Sequence, residues 1–223
     1  GLAAYDLYFK SGEDTYKKKL LACADWAVEN QQNDGGWVTF VYKNPDHPYS
    51  SMAQGEGISM LIRAHIVTGN EQYMSAVRKA KDFMLKPISD GGTTEYKSGN
   101  VILYEDTCNP VILNGWIFSL WGLYDYVKYT DDVSVKDVLA ATLASLKKRL
   151  PNFDMKYWSR YEDGKRICSP FYHKLHIAQL RVMYDLFGEE IYKEYADKWE
   201  SYQKSFWKPK KAFVKKALQK VLE

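Results

Sequence analysis

Apolar residues recur every three or four positions along most of this chain, the spacing that places them on one face of a helix. In residues 15–32 this pattern includes Leu20 and Ala24 and predicts an amphipathic helix. The same pattern predicts six further helices, at residues 51–68, 71–85, 111–129, 133–150, 171–187 and 189–206. Extended segments are indicated only at residues 37–42 and 100–104. The hydrophobic pattern therefore predicts an all-α protein.

The connections between these helices alternate in length. Short polar turns lie at residues 68–70, 130–132 and 188–189, and long loops lie at residues 33–50, 86–110 and 151–170. The short turns recur about every 60 residues, a period that is typical of stacked helical hairpins. Two arrangements fit this period: an open superhelical solenoid, or a ring of inner and outer helices.

The first helix after each long loop is rich in small residues. Gly55 and Gly57 occur in one of these helices, Gly115 and Gly122 in the next, and Ala178 in a third. An inner helix is packed on most sides and must be apolar and narrow, whereas the second helix of each pair carries charged residues. We therefore predict an (α/α) toroid, complete or incomplete, in which the long loops gather at one rim and border a pocket.

The C-terminal tail, residues 208–223, differs from the rest of the chain in its lysine content. Its lysines are Lys208, Lys210, Lys211, Lys215, Lys216 and Lys220. The simplest interpretation is a solvated terminal helix packed on the outer layer, and the alternative is an amphipathic helix that contacts an acidic surface or a partner. We therefore divide the chain into a helical domain, residues 1–207, and a basic tail, residues 208–223.

Composition and charge narrow the function classes. A chain of 223 residues can bury one sizeable core, and its net charge of +3 is too small to indicate nucleic-acid binding. No run of about 18 apolar residues predicts a membrane span. Three cysteines without metal-ligand spacing predict neither a zinc site nor a disulfide framework. Aromatic residues make up 15% of the chain, including 18 tyrosines, and supply the flat surfaces and hydroxyls that saccharide sites use.

Three tyrosines, Tyr104, Tyr157 and Tyr172, lie in long loops or where such a loop enters a helix. The pKa of a phenol is about 10, so a tyrosine can deliver a proton, and as tyrosinate beside a cation it can remove one. Arg160 lies close after Tyr157 and could supply that cation or clamp a substrate carboxylate. Two tyrosines on opposite faces of a sugar ring could therefore remove a proton on one side and return it on the other.

Carboxylates offer a second route, glycoside hydrolysis, which needs two acids facing one glycosidic bond. Glu56, one turn into a predicted inner helix, is the best placed acid. The other acids are Glu105, Asp106 and Asp154. Without a structure, no partner can be assigned to Glu56.

His173 and His176 lie three positions apart, on one face of a predicted helix. Two such histidines could form half of a metal site, but no HExxH motif accompanies them. We therefore predict hydrogen bonds to substrate, or a structural role, and no metal site. No GxSxG motif indicates a serine nucleophile.

Three motifs together resemble a known family. They are Ser-Met-Ala-Gln-Gly at residues 51–55, Val-Ile-Leu-Asn-Gly at 111–115 with Ser-Leu-Trp-Gly-Leu-Tyr-Asp at 119–125, and Tyr-His-Lys-Leu-His-Ile-Ala-Gln-Leu at 172–180. In this order they resemble the D-glucuronyl C5-epimerase C-terminal domain, along nearly the whole chain. That family converts D-glucuronate to L-iduronate within heparan-type polysaccharide precursors and needs no nucleotide cofactor. The resemblance implies an isomerase without cofactor or metal that acts on an anionic polysaccharide or oligosaccharide.

The resemblance also implies catalytic and binding residues. Tyr104 stands ten residues before the asparagine of the Leu-Asn-Gly motif. Tyr157 and Arg160 match a Tyr-x-x-Arg motif, and Tyr172 opens the Tyr-His-x-x-His motif. These four are the implied catalytic residues. The implied substrate-binding residues are Gln54, Glu56, Glu105, Asn114, His173 and His176.

Two departures from the family pattern bear on the substrate. Leu103 stands where animal members carry a glutamate, and Glu105 follows the tyrosine instead. Glu56 stands where the family has glutamine or histidine. Because this sequence lacks the β-rich N-terminal domains of the full family enzymes, we expect residues 1–207 to be the catalytic domain of a larger enzyme. The resemblance leaves a homodimer open, and the compartment too: the Golgi lumen for an animal homologue, the cytoplasm or envelope for a microbial one.

Two further function classes stay open at the level of the sequence. A uronate lyase or a glycoside hydrolase could use the same scaffold, and lyase chemistry starts from the same C5 carbanion. A non-catalytic glycan-binding domain would bind uronate oligosaccharides without exchanging the C5 hydrogen.

Overall fold

The structure of the protein is a computed structural model that describes residues 1–222. Within that range the chain forms nine α-helices and one antiparallel hairpin. The helices are α1 (Leu2–Ser11), α2 (Asp14–Glu29), α3 (Ser51–Thr68), α4 (Glu71–Leu85), α5 (Leu113–Thr130), α6 (Val133–Arg149), α7 (Pro170–Phe187), α8 (Glu190–Lys204) and α9 (Lys208–Leu222). The strands are β1 (Thr94–Lys97) and β2 (Asn100–Leu103). None of the helices in this range is both long and apolar enough to cross a lipid bilayer.

All seven predicted helices are confirmed, with ends within three residues of the prediction. The inner helices α3 and α7 are each followed by a glycine, Gly69 and Gly188, that caps the helix in the left-handed conformation. Glycine adopts this conformation without steric cost. Helix α1 was not predicted. The extended segment predicted at residues 37–42 is wrong: only Val38 forms a bridge there, with Tyr49, and the remainder is loop.

The helices form pairs arranged in two layers, as predicted for an (α/α) toroid. Inner helix α5 packs between α3 and α7, and each of these three packs against the outer helix that follows it. Gly55 and Gly122 bring α3 and α5 into direct contact, since a Cβ added at Gly122 would lie 2.3 Å from the Gly55 Cα. The small residues thus mark the inner layer, and α1 and α2 pack against each other and against α3.

Replacing Gly122 by alanine should destabilise the protein by about 2–3 kcal/mol, because the backbone of α3 blocks the new methyl group. Alanine favours a helix over glycine by about 1 kcal/mol, so local propensity predicts the opposite sign. Urea unfolding would measure the difference. The control is Lys128→Ala, on the exposed side of the same helix, where the change should stay within about 0.5 kcal/mol. Equal stability of Gly122→Ala and the parent would contradict the packing.

The three long loops meet at the N-terminal ends of the inner helices. The Ser51 N–H donates to the Tyr104 carbonyl at 2.9 Å, which ties the start of α3 to the second loop. The Leu113 N–H donates to the Tyr161 carbonyl at 3.2 Å, which ties the start of α5 to the third. The predicted rim of loops is therefore present, and it is held by backbone hydrogen bonds.

Helix α9 occupies the predicted tail, apart from residue 223, which lies outside the described residues. It packs against α8, with Ala212 buried. The Gln219 side chain accepts a hydrogen bond from the Ile167 N–H at 3.2 Å, so α9 also contacts the third long loop. Helix α9 therefore packs on the outer layer, and the division into a domain and a separate tail stays a prediction.

Candidate active site at the rim of the inner helices

Glu105 is the carboxylate at the centre of this rim. Its side chain lies over the first turn of α5, where a Cβ at Gly115 would come within 2.0 Å of Glu105 Oε2. The Asn114 side chain donates to the same oxygen at 3.5 Å. Glu105 is 9% exposed, so the carboxylate is nearly enclosed but still reachable. Glycine at position 115 is what makes room for it.

The surroundings of Glu105 bring its titration close to neutral pH. Burial raises its pKa to about 7, and the negative charges of Asp106 and Glu56 act in the same direction. Lys43 opposes them, but less strongly than burial acts. A carboxyl group with a pKa of about 7 holds and releases a proton equally well at neutral pH, the property a general acid–base catalyst needs.

Asp106, the next residue, has a different role because its hydrogen bonds are complete. It accepts from Lys43 Nζ at 2.6 Å, from Asn44 at 2.7 Å and from the Cys108 N–H at 3.1 Å, and Asn109 is a further donor. Burial alone would raise the pKa of Asp106, but these hydrogen bonds and Lys43 hold it below its usual range. Asp106 therefore stays charged and joins the first long loop to the second.

Tyr161 and Tyr172 form the second part of the site. Their rings meet edge to face, with centroids 4.8 Å apart. Tyr172 lies in the first turn of α7, where the capping Ser169 Oγ accepts from its N–H at 3.4 Å. Burial, the charge of Glu105 and the Tyr172 hydroxyl all raise the pKa of Tyr161. The Tyr161 phenol is therefore protonated at neutral pH, within electrostatic range of Glu105.

Tyr104 points away from this group. Its hydroxyl donates to Glu95 of β1 at 3.4 Å and borders a cavity of about 730 Å³ beside the hairpin. Burial and the charge of Glu95 raise its pKa. The Tyr104 side chain is thus directed to the hairpin, whereas the Glu105 side chain lies over the first turn of α5.

The side chains of Tyr157 and Arg160 have contacts outside the Tyr161–Tyr172 pair. Tyr157 contacts α9, where Lys211 Nζ lies 4.3 Å from the centre of its ring. The Arg160 guanidinium donates to the Asn152 carbonyl at 3.0 Å. Burial raises the pKa of Tyr157, and the charge of Arg160 acts against that rise.

His173 and His176 lie behind the site, fully buried. The Trp199 carbonyl can only accept, so His173 Nε2 donates to it at 3.1 Å and Nδ1 accepts from the Ser159 hydroxyl at 2.8 Å. The His173 ring stacks on Trp158 with centroids 3.6 Å apart. Both histidines thus hold the third loop against α7 and α8, and their predicted contact with substrate stays a prediction.

These histidines should make the protein less stable in acid. Burial lowers the pKa of His173 to about 4 and that of His176 to about 3, against 6.5 for the ordinary group. Between pH 6.5 and 4 the unfolded chain binds protons that the folded chain refuses, so the free energy of unfolding falls as the pH falls. For each histidine the fall approaches about 1.4 kcal/mol per pH unit.

The measurement compares urea unfolding of the parent and of His176→Gln from pH 7 to pH 4. The difference between their free energies of unfolding should shrink towards pH 4, because His176 takes up a proton on unfolding and the glutamine variant has no such group. The matched control, His47→Gln at an exposed site, should keep a constant difference from the parent. Parallel curves for His176→Gln would show that the histidine is not buried in its neutral form.

Buried amides lie beneath the rim on all three inner helices. Gln54 Nε2 donates to the Trp37 carbonyl at 3.4 Å, and Gln179 Nε2 donates to the Asn114 carbonyl at 3.0 Å. The side-chain oxygens of Gln54, Asn114 and Gln179 are buried and have no hydrogen-bond partner among the described residues. They are acceptors that a ligand hydroxyl or a water could use. The contacts of Gln54 and Asn114 with substrate remain predictions.

Glu56 faces a separate cavity of about 610 Å³ between α1, α2 and α3. Trp37 and Met60 border the same cavity. Burial raises the pKa of Glu56, and its charge reaches Glu105. The charge of Glu56 therefore acts on Glu105 at the rim, although Glu56 itself faces a separate cavity. Within residues 1–222, no three His, Cys, Asp or Glu side chains converge as metal ligands would.

Of the residues predicted from the sequence, the structure gathers Glu105, Asn114 and Tyr172, and it adds Tyr161, which the motifs did not select. A sequence feature could have found it: Tyr-Glu-Asp occurs twice, at residues 104–106 and 161–163. In the first copy the glutamate faces the rim, and in the second the tyrosine does.

Two layers of helical hairpins, with an ionisable carboxyl and two tyrosines at the loop end of the inner layer, define an (α/α)-barrel domain with a candidate site at its rim. The sequence model of the family described as D-glucuronyl C5-epimerase C-terminus matches residues 33–201. That match spans most of the chain, and the protein belongs to this family of sugar epimerases. Glu105, Tyr161 and Tyr172 all fall within the matched residues.

Individual relatives agree with this assignment. The chain is 29% identical to a D-glucuronyl C5-epimerase of Caenorhabditis elegans, over 86% of this chain and 38% of that protein. It is 27% identical to an uncharacterised protein of Methanocaldococcus jannaschii, over 67% of this chain and 50% of the relative. The chain thus spans half or less of the curated relatives it matches.

A solved structure supports the fold. The cellobiose 2-epimerase of Spirochaeta thermophila, an (α/α) barrel, superposes with a TM-score of 0.56 at 15% identity. The match covers 83% of this chain and 52% of that one. The predicted toroid is therefore confirmed as the fold class.

Proposed function

We propose that this chain is the catalytic domain of a carbohydrate epimerase that inverts C5 of D-glucuronate residues in a polysaccharide. The observation that carries the proposal is Glu105, with a pKa of about 7, beside the Tyr161–Tyr172 pair in a member of this family. The substrate is taken from the family description and from the name of the nematode relative. An anionic polysaccharide is accordingly the proposed partner.

The reaction needs a base on one face of the sugar and an acid on the other. The C5 hydrogen is weakly acidic because the neighbouring carboxylate can take up the electron pair as an enediolate. Ionised Glu105 accepts that proton, and a tyrosine hydroxyl delivers a proton to the opposite face of C5. Tyr161 suits the donor role because its raised pKa keeps it protonated. The resulting tyrosinate recovers its proton from Glu105 or from solvent.

This mechanism differs from the one expected from motifs alone. Tyr172 keeps its predicted role in proton transfer, either directly or through Tyr161. The Tyr104 hydroxyl contacts Glu95, and Tyr157 and Arg160 contact Lys211 and Asn152, so the catalytic roles of these three residues stay predictions. The homodimer and the N-terminal β-rich domains also stay predictions. A clamp for the substrate carboxylate is likewise not assigned to any residue.

Glycoside hydrolysis is the second candidate, and one observation favours it. The charge of Glu56 raises the pKa of Glu105, so two carboxylates act within electrostatic reach of each other. A raised pKa on one of two acids is the arrangement that a hydrolase uses for its general acid. The family assignment favours the epimerase.

The test is incubation of a heparosan oligosaccharide with the protein in deuterium oxide, followed by NMR of the C5 position. An epimerase incorporates deuterium at C5 and produces iduronate signals. New reducing ends would indicate the hydrolase, and an unsaturated product that absorbs ultraviolet light would indicate a lyase. A carboxyl-reduced oligosaccharide is the matched control, because it cannot form the enediolate. The absence of exchange and of cleavage would contradict both catalytic candidates.

A further inference from the structure

A second concave surface lies outside the candidate active site, between α9 and the third long loop. It is a cavity of about 750 Å³, and we call it the α9 groove. Its lining includes Tyr157, Trp207, Lys208, Lys210, Lys211 and Lys215. It thus combines aromatic rings with a row of cations, and the mechanism above uses none of these residues.

The charge of the α9 groove is uniformly positive. Helix α9 has no acidic residue between Lys208 and Leu222. In the described part of the chain, none of the four groove lysines forms an ion pair with a carboxylate. Three of them lie over aromatic rings instead: Lys208 over Tyr202 at 4.1 Å, Lys210 over Phe206 at 3.6 Å and Lys211 over Tyr157 at 4.3 Å. These ammonium groups are therefore held at the groove and available to an anion.

Aromatic rings beside these lysines are also exposed. Trp207 is 72% exposed and Phe206 is 67% exposed. An aromatic ring beside a cation is a surface on which a sugar ring can stack while its carboxylate meets an ammonium group. A neutral glycan would gain only the stacking. The groove therefore fits a carboxylated sugar better than a neutral one.

The α9 groove is joined to the candidate active site by the third long loop. Tyr157 lines the groove and Tyr161 faces Tyr172, so at most about 14 Å of extended chain separates the two. A short stretch of polysaccharide can span that distance. Helix α9 also lies beyond residues 33–201, the part of the chain that matches the family. The groove is therefore an addition to the family domain.

We propose that the α9 groove is a second binding subsite, which holds a carboxylated glycan chain whose reacting residue lies at Glu105. This inference rests on the proposed function for the identity of the ligand. The alternative occupant is an anionic membrane, which would contact the exposed apolar residues of α9, such as Val214 and Leu218. The groove favours the glycan because these residues line a concave surface together with Tyr157.

The test compares two triple variants with the same change in charge. K210Q/K211Q/K215Q removes exposed lysines of the groove, and K10Q/K18Q/K19Q removes exposed lysines of α1 and α2. Titration calorimetry would measure the Kd of a heparosan dodecasaccharide, of a tetrasaccharide and of the carboxyl-reduced dodecasaccharide. The groove variant should bind the dodecasaccharide about tenfold more weakly, and the α1–α2 variant should bind like the parent. Trp207→Ala should weaken dodecasaccharide binding without unfolding the protein, because its ring is exposed.

Each outcome supports the subsite or overturns it. Tetrasaccharide binding and C5 exchange should be equal in all proteins, because the short ligand occupies only the active site. The subsite is overturned if both triple variants lose affinity equally, if the carboxyl-reduced chain binds as well as the acidic one, or if the parent binds no dodecasaccharide. Lysine-dependent binding of phosphatidylserine vesicles without dodecasaccharide binding would identify a membrane surface instead. Groove-dependent binding without any C5 exchange would leave the subsite standing and refute the proposed function.

Discussion

Replacing Glu105 by glutamine should lower kcat for C5 exchange at least about 100-fold, because general acid–base catalysis contributes about 10² to 10⁴. Glutamine keeps the size of the side chain but can neither accept nor release a proton. The measurement is the rate of deuterium incorporation into a heparosan oligosaccharide. The matched control is Glu95→Gln, beside Tyr104, which should retain most of the activity. Equal losses in the two variants would remove Glu105 from the mechanism.

Glu105→Gln should also raise the free energy of unfolding, relative to the parent, at alkaline pH. The pKa of Glu105 is about 7 when folded and 4.5 as an ordinary group, so the folded protein binds the extra proton between those values. That stabilisation is complete below pH 4.5 and is lost as the pH rises through 7. The parent should therefore lose up to about 3 kcal/mol relative to Glu105→Gln between pH 4.5 and pH 8. Urea unfolding at those two pH values would detect it. A variant that loses activity without gaining stability at pH 8 would mean that the carboxylate is well solvated.

Removing the Tyr161 hydroxyl should have the second largest effect. Tyr161→Phe keeps the ring against Tyr172 and removes only the proton donor, so kcat should fall about 100-fold with a small change in KM. Tyr157→Phe is the matched control, because it changes the same atom four residues earlier in the same loop. It should keep near-parental activity, since Tyr157 faces the α9 groove.

These two variants separate the structural assignment from the one implied by motifs. The Tyr-x-x-Arg pattern selects Tyr157, with Arg160 as its cation. A large loss of C5 exchange in Tyr157→Phe, with Tyr161→Phe nearly unaffected, would favour that pattern and contradict the mechanism proposed here. Tyr172→Phe should lose activity whether Tyr161 or Tyr157 is the proton donor. This variant therefore tests whether the rim is catalytic, but it does not distinguish the two tyrosines.

The fold was largely predictable because its information is local. Seven helices follow from apolar spacing within single segments, and small residues such as Gly55 and Gly122 indicated which helices lie inside. The prediction failed for residues 37–42, an apolar run that forms one bridge, between Val38 and Tyr49, but no strand. Trp37 is buried instead through a hydrogen bond from its indole N–H to the Ala27 carbonyl and through contact with Gly57. A strand depends on a partner elsewhere in the chain, so a local pattern does not determine it.

The candidate site was predictable only in part. The motifs selected Tyr172, Glu105 and Asn114, which the structure places together at the rim. They did not select Tyr161, and they ranked Tyr104 above Glu105. Which of the two faces the rim depends on Gly115, from a different helix, whose missing side chain leaves room for Glu105.

Sequence spacing alone determined the helical hairpins, their inner and outer layers and the loops that carry the chemistry, because hydrophobic periodicity and turn residues act over a few positions. Only the tertiary structure decided which side chains of those loops converge and that the pKa of Glu105 lies near 7. The elements packed around Glu105 bury it, which has the largest effect on its pKa, and the charges of Asp106, Lys43 and Glu56 act in addition. Tyr161 likewise contacts Tyr172, from a different element. Proton affinity is a property of such an assembled environment, and no single segment of the chain contains it.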